Sequence, residues 1–300
     1  MPRTRSLVPS LIIALSLLVQ VCALPTPTGA QQAQKLDVVA TFSILGDIVH
    51  NIGDDAINLT TIVGPDGDAH TFEPRPEQIA AIADADLIFS NGLGYETWLP
   101  DIIEASGTNA TQIVTSSQIT PLSRRDENAQ EAAAEATIVG HPNDQPRSTS
   151  DDDQTDPHIW HDVANVRSQV TVIRDALIAA DAANAATYTT NATNYSAALD
   201  SLNTWINDSV ATLPAAQRIL FTSHDALGYF ARAYGFTIVG TVFGSLSTEA
   251  GDPSAGEMAV LIEEIRASGV PAIFAENIEN TDLMQQIAND AGDRKSTRLN

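Results

Sequence analysis

Six histidines are the residues of this 300-residue chain best suited to chemistry: His50, His70, His141, His158, His161 and His224. No two of them form a local zinc motif such as H-E-x-x-H, so any joint role has to come from folding. Three share a setting. His70 lies in Gly64-Pro-Asp-Gly-Asp-Ala-His-Thr-Phe-Glu-Pro74, after a strand-like run and before a helix-like one. His224 lies in Phe221-Thr-Ser-His-Asp-Ala-Leu-Gly228, again where a buried strand gives way to a helix. His158 lies in Asp156-Pro-His-Ile-Trp-His-Asp162, between an acidic stretch and a helix. Loops at the carboxyl ends of parallel strands are where open α/β folds bind ligands. Imidazole suits Zn²⁺, and a carboxylate would complete a tetrahedron at about 2 Å. Glu73 is a candidate acceptor that would fix the His70 tautomer. Trp160 is a bulky anchor beside His158, and Asp162 can cap the helix that follows. His158 and His161 could meet one ion if the turn were helical; it is not expected to be, so one of the two should point at the site. The competing readings are a solvated His70 loop and Asp225 as a helix cap beside a solvated His224. Ser223-His224-Asp225 has triad residue types, but neighbouring side chains cannot bond in series and no G-x-S-x-G elbow is present.

The elements that would position these groups alternate between strand and helix. Residues 36–40 read as a strand, Thr41-Phe42-Ser43 as a turn, and Ile44, Ile48, Val49 and Ile52 as one helical face ending at Gly53. Ile57–Val63, Leu87–Ser90 and Gln112–Val114 read as further strands, with helices at Glu77–Ala85 and Trp98–Ser106. Residues 123–157 break the rhythm as a long acidic loop. Helices follow at Val163 to about Ala183 and about Ala185 to Leu213, the second with Tyr188, Tyr195, Leu199, Leu202 and Ile206 inward. Alternation resumes with strands Ile219–Thr222, Thr237–Val242 and Ala272–Phe274. The fold class expected is α/β: two Rossmann-like lobes with mostly parallel sheets, joined by a long rigid helix, with the metal site in the cleft between them. The lobes are placed at 31–160 and 215–300, bridged by connector helices over 161–214.

Composition narrows the function classes. Asp and Glu number 38 against 15 Lys and Arg, a formal charge of −23, which argues against nucleic acid. Residues 1–30 have the order of a secretory leader: Arg3 and Arg5, an apolar run from Leu7 to Leu24, then Thr28-Gly29-Ala30. The single cysteine, Cys22, lies inside that segment, where a lipid attachment is the other possibility. Without thiols in the mature chain, a tight transition-metal site must use His and carboxylates.

The stretches VVATFSILG (38–46), GDAHTFEP (67–74), DADLIFSNGLG (84–94), DPHIWHDVAN (156–165) and TSHDALGYFARAYG (222–235) resemble, in that order, the zinc/manganese substrate-binding proteins of ABC transporters, the cluster A-I type. The resemblance implies two α/β lobes, one ion between them, and His70, His158 and His224 as ligands. A histidine at the third position is the pattern of the zinc-preferring members, and three nitrogen ligands favour Zn²⁺ over Mn²⁺. His161 stands where the family usually has an apolar residue, which makes it an accessory ligand or an exposed group. The acidic loop carries the single His141 where zinc members are often His-rich. The family's fourth ligand, an Asp, lies beyond the helix that ends near Gly292. The last residues, Arg294–Asn300, do not resemble the family, so the second lobe is expected to be truncated, with Glu276 the nearest replacement ligand.

These readings converge on an exported monomer that captures Zn²⁺, with Mn²⁺ as the alternative cargo, and delivers it to an ABC permease without catalysis. Affinity is expected to fall below about pH 6, near the ordinary histidine pKa. Two other classes stay open: a zinc hydrolase with Glu73 or Asp225 as base, and a cell-adhesion protein with a structural metal.

Overall fold

The computed structural model describes residues 35–123, 155–243, 246, 248, 253–270, 272–278, 281–292 and 297–299. The leader, Cys22, His141 and most of the acidic loop lie outside the described residues.

The first lobe is built on β1 (Leu36–Phe42), whose last five residues are all buried. Apolar side chains alternate onto both faces there, so the strand is covered on both sides, as the centre of a parallel sheet must be. Thr41 and Phe42, read from sequence as a turn, are its last two residues, and α1 (Ser43–Gly53) starts at once. There follow β2 (Ile57–Val63), α2 (Pro76–Asp84), β3 (Leu87–Ser90), α3 (Leu99–Ser106) and β4 (Thr111–Val114). All pairings are parallel, in the order β2-β1-β3-β4.

Two helices come next: α4 (Val163–Ala180) and the 27-residue α5 (Ala185–Ala211). Asp162 caps α4 as expected, its Oδ1 accepting from the Ala164 N–H at 2.8 Å. Both helices share the first lobe's core: Val166, Val170, Ile173, Leu177, Tyr188 and Leu199 pack with Leu45, Ile48 and Ile52 of α1. Leu202, expected inward, is instead exposed, because it lies at the edge of the buried stripe formed by Tyr188, Ala192, Leu199 and Val210.

The second lobe repeats the winding of the first. It comprises β5 (Ile219–Thr222), α6 (Gly228–Tyr234), β6 (Thr237–Thr241), α7 (Ala255–Ser268), β7 (Phe274–Glu276), α8 (Thr281–Ala291) and β8 (Thr297–Leu299). The order β6-β5-β7-β8 is that of the first sheet, again parallel. β7 starts two residues later than the sequence reading placed it, at Phe274. The terminal segment, whose sequence does not resemble the family, supplies β8, with Phe274, Ala275 and Glu276 opposite Thr297, Arg298 and Leu299. A three-residue strand has no periodicity by which a sequence could announce it.

In both sheets the first strand has neighbours reached in opposite directions. That reversal opens a crevice at the carboxyl ends of the strands. The loop after β2 carries His70, and His224 lies two residues past β5.

Candidate metal centre

His70, His158 and His224 are brought together. Each is buried, and each offers a ring nitrogen within 4.8 Å of the other two. His158 Nε2 is the shared vertex, 3.2 Å from His70 Nε2 and 3.3 Å from His224 Nε2.

Each imidazole is held by its own local chemistry. The His70 loop is organised by Asp68, whose carboxylate accepts from the His70 N–H at 2.9 Å and the Thr71 hydroxyl at 2.7 Å. Trp98 Nε1 donates to the Ala69 carbonyl at 2.9 Å, and the Tyr95 ring stands edge-on to His70 with centroids 4.6 Å apart. His158 precedes the 3₁₀ turn Ile159–His161. Asp156 Oδ1 accepts from its backbone N–H at 2.8 Å and lies 2.7 Å from its Nδ1. The carbonyl between them, on Pro157, accepts from Asn91 Nδ2 at 2.8 Å. Asn91 is placed in turn by Glu96, which accepts from the Asn91 and Gly92 N–H groups and, at 2.6 Å, from the Thr41 hydroxyl. Burial pushes the Glu96 pKa up, against those three donors. His224 Nδ1 lies 3.1 Å from Glu276 Oε1 at the end of β7.

The carboxylates on Nδ1 of His158 and His224 settle the tautomer chemically. A proton shared with the carboxylate sits on Nδ1, and the Nε2 lone pair is left to point into the cluster. Burial lowers the His70 pKa to about 4, with the neighbouring His224 adding to the effect, and burial takes His158 well below its ordinary value. His70 and His158 are therefore neutral near pH 7. Bare nitrogen lone pairs facing one another repel unless a cation lies between them. Tetrahedral Zn²⁺ with Zn–N of about 2.0–2.1 Å would hold its ligand nitrogens about 3.3 Å apart. The two spacings of 3.2 and 3.3 Å match that figure.

The other expected residues fall outside the cluster. Glu73 is exposed on the approach to α2, and no hydrogen bond joins it to His70. Nearness in sequence was misleading here, and Asp68 organises the loop in its place. Glu276 reaches the site, but by its contact with His224. His161 is half-buried against the Trp160 ring, with centroids 5.6 Å apart, and burial lowers its pKa to about 4. Trp160 stands edge-on to His158 with centroids 5.4 Å apart. A cavity of about 550 Å³ lies alongside, lined in part by Tyr95, Trp160, His161 and Glu276. Three of those four walls touch one of the clustered imidazoles each. Asp225 is buried and does not cap α6, which starts at Gly228.

Sequence reasoning missed Asp68, Asn91, Glu96 and Asp156 as supports. Asp68 and Asp156 each had a local signal, an acid two residues before a histidine that accepts from its N–H; Asn91 and Glu96 had none.

Residues 38–299 match the family model described as "ZnuA: Zinc-uptake complex component A periplasmic". The manganese-binding lipoprotein MntA of Halalkalibacterium halodurans is 33% identical over 281 residues, covering 94% of this chain and 84% of that protein. The iron-binding protein YfeA of Yersinia pestis is 30% identical over 281 residues, covering 94% and 82%. Among solved structures, the periplasmic zinc-binding protein TroA from Treponema pallidum superposes with a TM-score of 0.71 at 27% identity, covering 89% of this chain and 87% of that one. The chain thus belongs to the ZnuA family, the metal-binding, extracytoplasmic components of ABC transporters, which are solute-binding proteins and not enzymes.

Proposed function

We propose that this protein captures Zn²⁺ with His70, His158 and His224 and hands it to an ABC permease on the outer face of the cell membrane. The observation that carries this reading is the pair of Nε2 separations, 3.2 and 3.3 Å, among three buried imidazoles. Nitrogen ligands in a tetrahedral spacing fit Zn²⁺, whereas an all-oxygen octahedron would fit harder ions. Asp156 and Glu276 hold two of the rings by Nδ1, which raises their basicity as ligands. The adjoining cavity gives the ion its way in, and a neutral His161 on its wall leaves the positive cargo unopposed. Glu276 acts on His224 in this reading, and water would complete the ion's ligand set.

Mn²⁺ is the second reading, favoured by the manganese-binding relative at 33% identity. Elemental analysis of the purified protein, followed by calorimetric competition between Zn²⁺ and Mn²⁺, tests both. Zinc bound at one equivalent and not displaced by excess Mn²⁺ supports the first; preferential retention of Mn²⁺ overturns it. The mature protein is proposed to follow a leader over residues 1–30 and to work as a monomer.

A further inference from the structure

Tyr229 belongs to α6 of the second lobe and is fully buried, yet its hydroxyl serves the segment that carries His158. The Leu122 N–H donates to Tyr229 Oη at 2.9 Å, and the hydroxyl donates to the Asp156 carbonyl at 3.0 Å. Leu122 and Asp156 are themselves joined, the Asp156 N–H donating to the Leu122 carbonyl at 3.0 Å. Next to them, Ser123 and Thr155 form an antiparallel bridge. One hydroxyl therefore spans two chain segments exactly where they meet, as acceptor from one and donor to the other. The ring is seated against Leu122 and Ile159, with Leu93 and Trp160 packed around them, and the Arg232 guanidinium lies 5.2 Å from its centroid.

From Asp156 the path is short. Its carboxylate holds both the backbone N–H and Nδ1 of His158, and His158 Nε2 is the atom the other two imidazoles share. We infer that Tyr229 is a positioning residue for metal capture: its hydroxyl fixes the Asp156 main chain, and through the Asp156 carboxylate holds His158 Nε2 in register with His70 and His224. The inference rests on the metal-capture reading. Phenylalanine would preserve the ring packing but could neither accept from Leu122 nor donate to Asp156. The Asp156 backbone would then be free to rotate, and the carboxylate would carry the imidazole with it. Partners that orient metal ligands are worth about 10–100-fold in affinity.

The test measures Zn²⁺ affinity by competition with a chromophoric chelator for the wild type, Tyr229→Phe, Asp156→Ala and the double variant. Tyr188→Phe serves as control, since Tyr188 is equally buried and bonds Asp181 at 2.9 Å in the α4–α5 link, away from the cluster. Tyr229→Phe is expected to bind about tenfold or more weakly, and Tyr188→Phe to lose thermal stability without losing affinity. In the Asp156→Ala background, Tyr229→Phe should cost nothing further, because the route it acts through is gone. Affinity of Tyr229→Phe within twofold of wild type, or fully additive losses in the double variant, overturns the inference. If Tyr229→Phe does not fold, the titrations are run for all variants in trimethylamine N-oxide, which restores compactness without replacing the hydroxyl. Failure of the wild type to bind Zn²⁺ sinks the capture reading itself; a wild type that binds beside an unaffected Tyr229→Phe sinks only the role of Tyr229.

Discussion

A buried neutral imidazole has one lone pair to offer, and His158 shares the space before its Nε2 with two others at 3.2 and 3.3 Å. Removing any one member leaves the remaining pair short of a tetrahedral ligand set. His70→Ala, His158→Ala and His224→Ala are therefore each expected to weaken Zn²⁺ binding by on the order of a hundredfold or more, beyond the effect of an orienting partner; isothermal titration would show it, and unchanged affinity in any of the three would remove that residue from the site. The same burial dictates how the metal-free protein responds to acid. With its pKa lowered to about 4 by burial, folded His70 stays neutral where an unfolded chain, with a histidine pKa near 6.5, takes up a proton. His161, lowered to about 4, and His158, taken well below its ordinary value by burial, act in the same direction. Above pH 6.5 these groups make no difference to stability; from there down to about 4 the unfolded state binds more protons and the folded state loses ground. Urea midpoints of the metal-free protein should fall through that window, and a triple His→Gln variant at 70, 158 and 161 should flatten the fall. Zinc competes with protons for the same nitrogens, so at His70 the loss of binding is moved from about pH 6, as the sequence alone suggests, toward about pH 4.

At the scale of elements, the His158 segment depends on a loop that few sequences could form. Residues 92–94 all have positive φ: Gly92 at 82°, Leu93 at 57° and Gly94 at 77°. A Cβ on Gly92 would lie 2.5 Å from Val114 Cγ1 on β4, so alanine there meets both a left-handed backbone and a clash. Gly92→Ala is expected to cost about 1–3 kcal/mol in chemical denaturation and to weaken metal binding, since the same loop places Asn91 against Pro157. A stability loss without any affinity loss would uncouple the loop from the site. How legible such features are follows from their range. The junction histidines stood out because strand, loop and helix follow one another locally, and β5 and α6 announce His224 within a dozen residues. Asn91 acts on a carbonyl 66 residues away and Glu96 on a hydroxyl 55 residues away, partners reached only through folding. Glu73 was misread because three residues of separation in a loop, unlike in a helix, say nothing about facing. Leu202 was misread because it lies at the edge of its helix's apolar stripe, whose centre runs on through Leu199 to Val210.

For the whole molecule, the deciding fact is that the three clustered imidazoles are split between lobes: His70 on the first, His224 on the second, and His158 on the segment leading into α4. An ion held by all three loses part of its ligand set as the lobes part, so whatever holds the lobes together also bears on the rate of release. Besides the Tyr229 bonds to Leu122 and Asp156, two side chains of the second lobe, among the described residues, reach the His70 loop. The Thr248 hydroxyl donates to Asp68, the residue that organises the His70 loop. Asn277 Nδ2, next to Glu276, donates to the Pro65 carbonyl and to Asp66 Oδ1, each at 3.1 Å. Both contacts fall on the loop between β2 and α2, so lobe opening and withdrawal of His70 from His224 are one movement. Hydrogen bonds of this kind contribute about 0.5–1.5 kcal/mol each, and a tenfold change in rate corresponds to about 1.4 kcal/mol. Thr248→Val combined with Asn277→Ala is therefore expected to raise the Zn²⁺ dissociation rate by roughly tenfold while leaving the three ligands intact. Stopped-flow transfer of Zn²⁺ to a chelator measures that rate directly. An unchanged rate would mean that the contacts of Thr248 and Asn277 contribute nothing to retention, and that the closed arrangement is maintained by the ion, its three imidazoles and the Tyr229 bonds.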